Sequence, residues 1–182
     1  MKKIATLILF ITVSYLVFSQ EKQLEYTAVV PVINTTSKEL HARCIDWFSS
    51  YLNLSDKVLI QSADDKIIAN PVLIYYPNFL WGSDPVKGTI TYTIEVDFSD
   101  GKFTYIINNF VHHGNPVAAS KRPITLGLIT TALKSTLKIE NQILSESAWK
   151  DIKSQISKWI IPLMANLKSE MDKAPHQGET KK

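Results

Sequence analysis

Cysteine is almost missing: Cys44 is the one thiol among 182 residues. That excludes an intramolecular disulfide and any zinc site built on several cysteines. Glycine is scarce, six residues scattered along the chain, so there is no glycine-rich loop to cradle a phosphate. Charge of one sign is missing too. Twenty basic and 17 acidic residues give +3, and without Lys2 and Lys3, which lie in a segment expected to be removed, 18 against 17 leaves +1. That is too little for a dedicated nucleic-acid binder, despite a pI near 8.8. No Gly-x-Ser-x-Gly elbow occurs, and Ser135 with Lys138 is a match that composition alone supplies. What is present is ordinary globular material, 45% hydrophobic and 20% charged, of a length that suits one domain.

The single long apolar run is at the amino terminus. Lys2 and Lys3 precede residues 4–18, which carry no charge. About 15 apolar residues fall short of the ~20 that cross a bilayer. With Val17 and Ser19 at the −3 and −1 positions, residues 1–19 read as a signal peptide cut near Ser19–Gln20. The expectation is an exported protein, periplasmic or extracellular, that is not integral to a membrane after cleavage. A single domain at 20–171 and a disordered tail at 172–182 complete the predicted layout.

Residues 24–33, rich in Val, Tyr and Thr, read as a first strand ending near Pro31. Thr36 followed by Glu39 is a capping box, and Leu40, Cys44, Ile45, Phe48 and Leu52 continue as one helical stripe widened by Trp47. Cys44 on that stripe reads as a small buried hydrophobe. Strands are expected at 57–63 and 66–76, with Pro71 as an irregularity. Residues 89–98 alternate strictly: Ile90, Tyr92, Ile94, Val96 and Phe98 face one way, and Thr89, Thr91, Thr93, Glu95 and Asp97 the other. Asp100-Gly101 predicts a type I′ hairpin, after which Phe103, Tyr105 and Ile107 resume alternation through about Val111. Residues 112–145 form a variable connection with room for a short helix or an extra strand. From Ser147 a helical stripe of Trp149, Ile152, Ile156, Trp159, Ile160, Leu163, Met164, Leu167 and Met171 returns, which Pro162 should kink or split. The order β-α-β-β-β-β-α predicts an α+β two-layer sandwich, an antiparallel sheet of four or five strands with both helices on its apolar face.

Trp47-Phe48, Asp65-Lys66-Ile67-Ile68, Gly88-Thr89-Ile90-Thr91-Tyr92-Thr93-Ile94 and Asp100-Gly101-Lys102-Phe103-Thr104-Tyr105 resemble a domain-of-unknown-function family. Its members are secreted proteins, mostly of Bacteroidetes-type bacteria, with a TATA-binding-protein-like fold. The resemblance covers residues 26–110. It departs where Ala69 and Asn70 stand in place of glycines that commonly follow the third-strand motif. It implies a fold and carries over no functional residue, no cofactor and no catalytic or metal site. DNA binding does not follow from the fold's name. The expected wet face offers Thr89, Thr91, Thr93, Glu95, Asp97, Thr104 and Asn108, whose acidic pair repels phosphate.

Two features remain as candidates. His112 and His113 are adjacent, so on a strand they point to opposite faces, and a metal site would need a third ligand such as Asp97 or Glu95 across the sheet. The bland reading is a polar strand end, and the alternative is a small metal-dependent hydrolase using His112 or His113. The second feature is Tyr75-Tyr76-Pro77-Asn78-Phe79-Leu80-Trp81, too aromatic for an ordinary loop. It either caps the core or offers Tyr76, Phe79, Leu80 and Trp81 to a protein, glycan or lipid partner. The leading expectation is a non-enzymatic binding or interaction module without a cofactor. A structural, envelope-associated module is a further alternative.

Overall fold

The computed structural model describes residues 21–52, 59–78, 84–115, 122–135 and 142–173, with backbone alone at 59–61 and 142. Residues 1–19, where a signal peptide is expected, Phe79, Leu80 and Trp81, and most of the expected tail lie outside that set.

Among the described residues the order is β1 (Tyr26–Pro31), α1 (Ser37–Tyr51), β2 (Leu59–Ala63), β3 (Lys66–Ala69), β4 (Val72–Tyr75), a 3-10 turn (Asp84–Val86), β5 (Gly88–Ser99), β6 (Lys102–Gly114), β7 (Gly127–Leu128) and α2 (Gln142–Met171). All strand pairings are antiparallel, in the order β1-β6-β5-β3-β2. β4 continues the line of β3 along β5, and β7 lies along β6 beyond β1. The α+β sandwich is as expected, with more strand segments than four or five.

Two of the extra segments have local causes. The strand expected at 66–76 is broken at Asn70-Pro71, where proline has no amide to give the ladder. The backbone stays in register around the break, because the Pro71 carbonyl accepts from the Tyr92 amide at 3.2 Å. The variable connection supplies β7, two residues long, paired to Val111 and His112.

The hairpin also differs from type I′. Gly101 has φ +76°, while Asp100 is not among the positive-φ residues. Asp100 is used elsewhere: its carboxylate accepts from the Ser37 amide at 2.8 Å, at the start of α1. Thr36 caps the same helix by accepting from the Glu39 amide at 3.3 Å. The reciprocal half of the box is not formed, because Glu39 pairs with Arg43 at 2.5 Å.

The largest correction concerns β6. Its strict alternation stops at Asn108-Asn109, where the pairing to β5 shifts register and Asn109 takes φ +54°. This β-bulge inserts one residue and inverts the faces beyond it. Phe103, Tyr105 and Ile107 are buried before it, and Phe110 and His112 after it. The strand ends at Gly114, so the histidines stand at its end as expected, but His112 is buried there rather than part of a polar terminus.

Both helices cover one face, α1 running antiparallel to α2. Trp47 donates to Asn166 Oδ1 at 2.8 Å, and Arg43 donates to the Met171 carbonyl. α2 starts at Gln142, five residues earlier than expected, because Ile143 in its first turn is exposed and breaks the stripe. Pro162 does not split it: the helix is continuous and Pro162 is exposed. The hydrogen bond lost there is the one to the Lys158 carbonyl, which water can satisfy. The core joins Leu40, Phe48, Ile94, Phe103, Phe110, Trp149 and Ile156, all at most 2% exposed. Cys44 is among them, and burial holds its thiol well above the usual range.

Candidate interaction surface

The side chains that sequence reading grouped as chemistry are separated by the fold. Ile90 pairs with His112 and Asp97 with Thr104. Seven residues of β5, about 3.3 Å each, therefore put Asp97 about 23 Å from His112 along the strand, and on the opposite face. Asp97 instead shares Lys66 with Glu95, at 3.3 and 2.6 Å, which raises the lysine pKa. His113 is exposed on the outer face beside Thr91 at 3.4 Å. Among the described residues, His, Cys, Asp and Glu gather into no group of three that could hold a metal. The expected wet face is otherwise in place: Thr89, Thr91, Thr93, Glu95, Thr104 and Asn108 all lie partly exposed on it.

His112 is wholly buried. Its Nε2 lies 3.0 Å from the Val86 carbonyl and its Nδ1 3.1 Å from the Leu126 amide. Both ring nitrogens are thus spent on backbone.

The aromatic segment after β4 is fastened at its root. Asp151 on α2 accepts at Oδ2 from the Tyr75 hydroxyl (2.9 Å), the Asn78 amide (3.1 Å) and Gln155 Nε2 (2.8 Å). Gln155 Nε2 also reaches the Tyr76 carbonyl at 2.8 Å. Tyr75 is buried, and burial together with the Asp151 carboxylate pushes its phenol pKa far up. Tyr76, next along, is 62% exposed. The backbone at 76–78 is therefore held against one face of α2, and the side chain of Tyr76 is presented to solvent. Phe79, Leu80 and Trp81 are outside the described residues.

One helical turn beyond Gln155, on the same face of α2, stands Trp159. The sequence places it in the core, but it is 56% exposed. The reason is a local excess of apolar residues. Trp159, Ile160 and Ile161 are consecutive, and a helix turns each residue about 100° from the last. The seam 149-152-156-160-163-167-171 takes Ile160, so its two neighbours fall outside, and Ile161 is likewise 56% exposed. That run of three was the signal available in the sequence.

Trp159 rims an apolar cleft of about 240 Å³ between the end of α1, β4–β5 and α2, shared with Tyr51, Leu52, Leu73, Tyr92 and Leu163. Tyr51 is 46% exposed and stacks on Trp47 with ring centres 5.7 Å apart, which fixes its ring at the rim. Tyr92 stacks on Phe110 at 5.5 Å, and its hydroxyl has no hydrogen-bond partner among the described residues. Burial pushes that phenol's pKa well up, so it stays a protonated donor. The cleft has greasy walls, an aromatic rim and one neutral donor. Tyr51, Leu52 and Tyr92 were not singled out as site residues from the sequence, because a cleft joining three elements leaves no local pattern.

Residues 26–113 match the family model of a domain of unknown function (DUF4468) with TBP-like fold, a segment that contains the 26–110 of the sequence resemblance. A solved TBP-like protein from Parabacteroides distasonis is similar over 84% of this chain and 94% of its own, at 14% identity and a TM-score of 0.52. A DUF4468 family protein from Bacteroides ovatus is similar over 80% of this chain and 86% of its own, at 7% identity and a TM-score of 0.45. The first likeness is one of fold. No curated protein matches the chain.

Proposed function

We propose that this TBP-like domain is an exported interaction module that seats an apolar side chain of a protein partner in the cleft at Trp159. The cleft carries the reading by its size. At about 240 Å³ it falls below the ~300–1,000 Å³ of pockets that enclose a whole small ligand. It suits a single anchoring side chain, and Trp and Tyr are the residues that dominate such contacts. The Tyr92 hydroxyl offers one hydrogen bond for a backbone carbonyl of the partner. Tyr76, anchored along the same helix face, extends the surface. Export rests on the Lys2-Lys3 start and the uncharged run at 4–18. No described helix is long and apolar enough to cross a membrane. Nucleic acid is not the partner proposed, since Glu95 and Asp97 stand on the outer sheet face. No specific observation favours an enzyme.

The test is photocrosslinking in cells with a benzophenone amino acid placed at 159 or, as control, at 104 on the charged part of the sheet. A discrete protein adduct from 159 and none from 104 is expected, lost when Tyr51 is changed to Ala. No adduct from 159 overturns the reading. Trp159→Ala should abolish partner capture while lowering the melting temperature by only about 2–4 °C, as for a loss near 1 kcal/mol. For export, amino-terminal sequencing should find Gln20 first, and Met1 on the exported protein refutes it.

A further inference from the structure

His112 sits where three segments meet: β6, the 3-10 turn before β5, and the connection that ends in β7. A carbonyl only accepts and an amide N–H only donates. The Val86 carbonyl and the Leu126 amide therefore require a neutral ring, protonated at Nε2 with a lone pair at Nδ1. Towards β6 the segment so held has few other bonds, while its far end is also tied to the residues before β1, where the Leu24 amide reaches the Ile129 carbonyl at 3.0 Å and Gln23 bridges Thr130. β7 is two residues long, and the Ile129 amide reaches the Phe110 carbonyl at 2.8 Å. The Ile124 amide reaches Pro85 at 2.7 Å, and Thr125 Oγ1 accepts from the Gly114 amide at 3.0 Å.

We propose that His112 is an acid-sensitive latch, whose protonation releases residues 122–130 from β6 and bares Leu126, Ile129 and Phe110. A solvent proton adds to the Nδ1 lone pair, and the bond that breaks is the hydrogen bond from the Leu126 amide, which then confronts a second donor.

The charged and titratable groups on the packed elements do not offset the new charge. His113 on β6 adds like charge when protonated. Tyr75 on β4 meets the ring edge-on at 5.4 Å with its phenol given to Asp151 on α2. Asp84 and Lys87 flank the 3-10 turn as an ion pair at 2.7 Å, and Arg122 lies in the connection, five residues before β7. No carboxylate forms an ion pair with His112 among the described residues. Burial accordingly lowers the His112 pKa to about 4.

The sign follows from linkage. The closed form binds the proton more weakly than the open form, whose histidine titrates near 6.5. Closure is at full strength above that pH and weakens about tenfold per unit below it, down to about 4. Between pH 7 and 4.5 the open population should rise about 60-fold.

Hydrogen exchange on the full chain, corrected for intrinsic rates, tests this. Leu126 and Ile129 amides should lose about 60-fold protection at pH 4.5, while Val96 and Phe98 in β5 keep theirs. His112→Gln cannot titrate, and should make protection at 126 and 129 independent of pH. If that variant does not fold, nitrogen-15 spectra of the unaltered chain decide. They should show the Nε2–H form at pH 7 and a titration that coincides with the loss of protection at Leu126. Titration of His112 near 6.5 without opening, or simultaneous loss of protection across β5 and β7, overturns the latch.

Discussion

Asn109 is the residue on which the interior half of β6 turns, and replacing it gives a quantitative test. At φ +54° a residue with a Cβ costs roughly 1–2 kcal/mol, with Asn among the least penalised and β-branched residues among the most. Glycine removes the strain but adds about 0.5–1 kcal/mol of unfolded-state entropy, so Asn109→Gly should leave stability nearly unchanged. Asn109→Val should cost about 2 kcal/mol, or about 4–8 °C in melting temperature for a domain of this size. The strand cannot escape by slipping into strict alternation. That would expel Phe110, 0% exposed, and forfeit roughly 1.5–3 kcal/mol for that side chain alone, besides both His112 hydrogen bonds. The bond from Asn109 to Thr93, at 3.4 Å, is long and is lost equally in both variants, so it does not disturb the comparison. Thermal unfolding by circular dichroism reads the order, with Asn108→Val as the control at a neighbour without positive φ. If valine at 109 costs no more than valine at 108, the bulge is not what sets the inward face of β6.

Tyr75→Phe removes one of three donors to Asp151 and should cost about 1 kcal/mol. Asp151→Ala, which leaves the buried Tyr75 hydroxyl without its acceptor, should cost about 2–3 kcal/mol in urea unfolding; equal costs would mean that the carboxylate does not organise the segment. Cys44 should resist iodoacetamide at pH 8 in the native protein and react on unfolding, since burial raises its pKa; modification of the native protein at the rate of a free thiol would refute its burial. Gly88→Ala puts a Cβ 1.9 Å from the His113 carbonyl oxygen. The β5–β6 ladder must then part, at more than about 3 kcal/mol in denaturant unfolding, and a loss below 1 kcal/mol would show that the strands do not approach so closely.

The elements easiest to foresee were those governed by one period. β5 is buried and exposed in strict turn, and α1 carries its stripe and its Thr36 cap. Failures came where one residue overrides a period. Asn109 reverses the faces of β6, so alternation counted from Phe103 would turn His113 inward, whereas His112 is the buried one. Pro71 divides one expected strand into two. Trp159 leaves the core because Ile160 already fills the seam. The candidate site was less legible than the fold. Tyr76, expected at a partner surface, is exposed, but Tyr51, Leu73 and Tyr92 converge through tertiary packing alone, and hydrophobic pattern does not encode which apolar side chain ends at a rim.

The long closing helix also governs when the domain can exist. α2 alone contributes Trp149, Ile152, Ile156, Ile160, Leu163, Leu167 and Met171 to the interior, and its partners lie far back in the chain: Tyr26 for Ser157, Trp47 for Asn166, Arg43 for Met171. A chain synthesised only as far as β7 holds a sheet whose inner face is bare where α2 would pack, and no local contact can stand in for the missing helix. Completion of the fold is thus postponed until the last turn of α2 is made, and loss of that turn deprives Arg43, far back in α1, of its partner carbonyl.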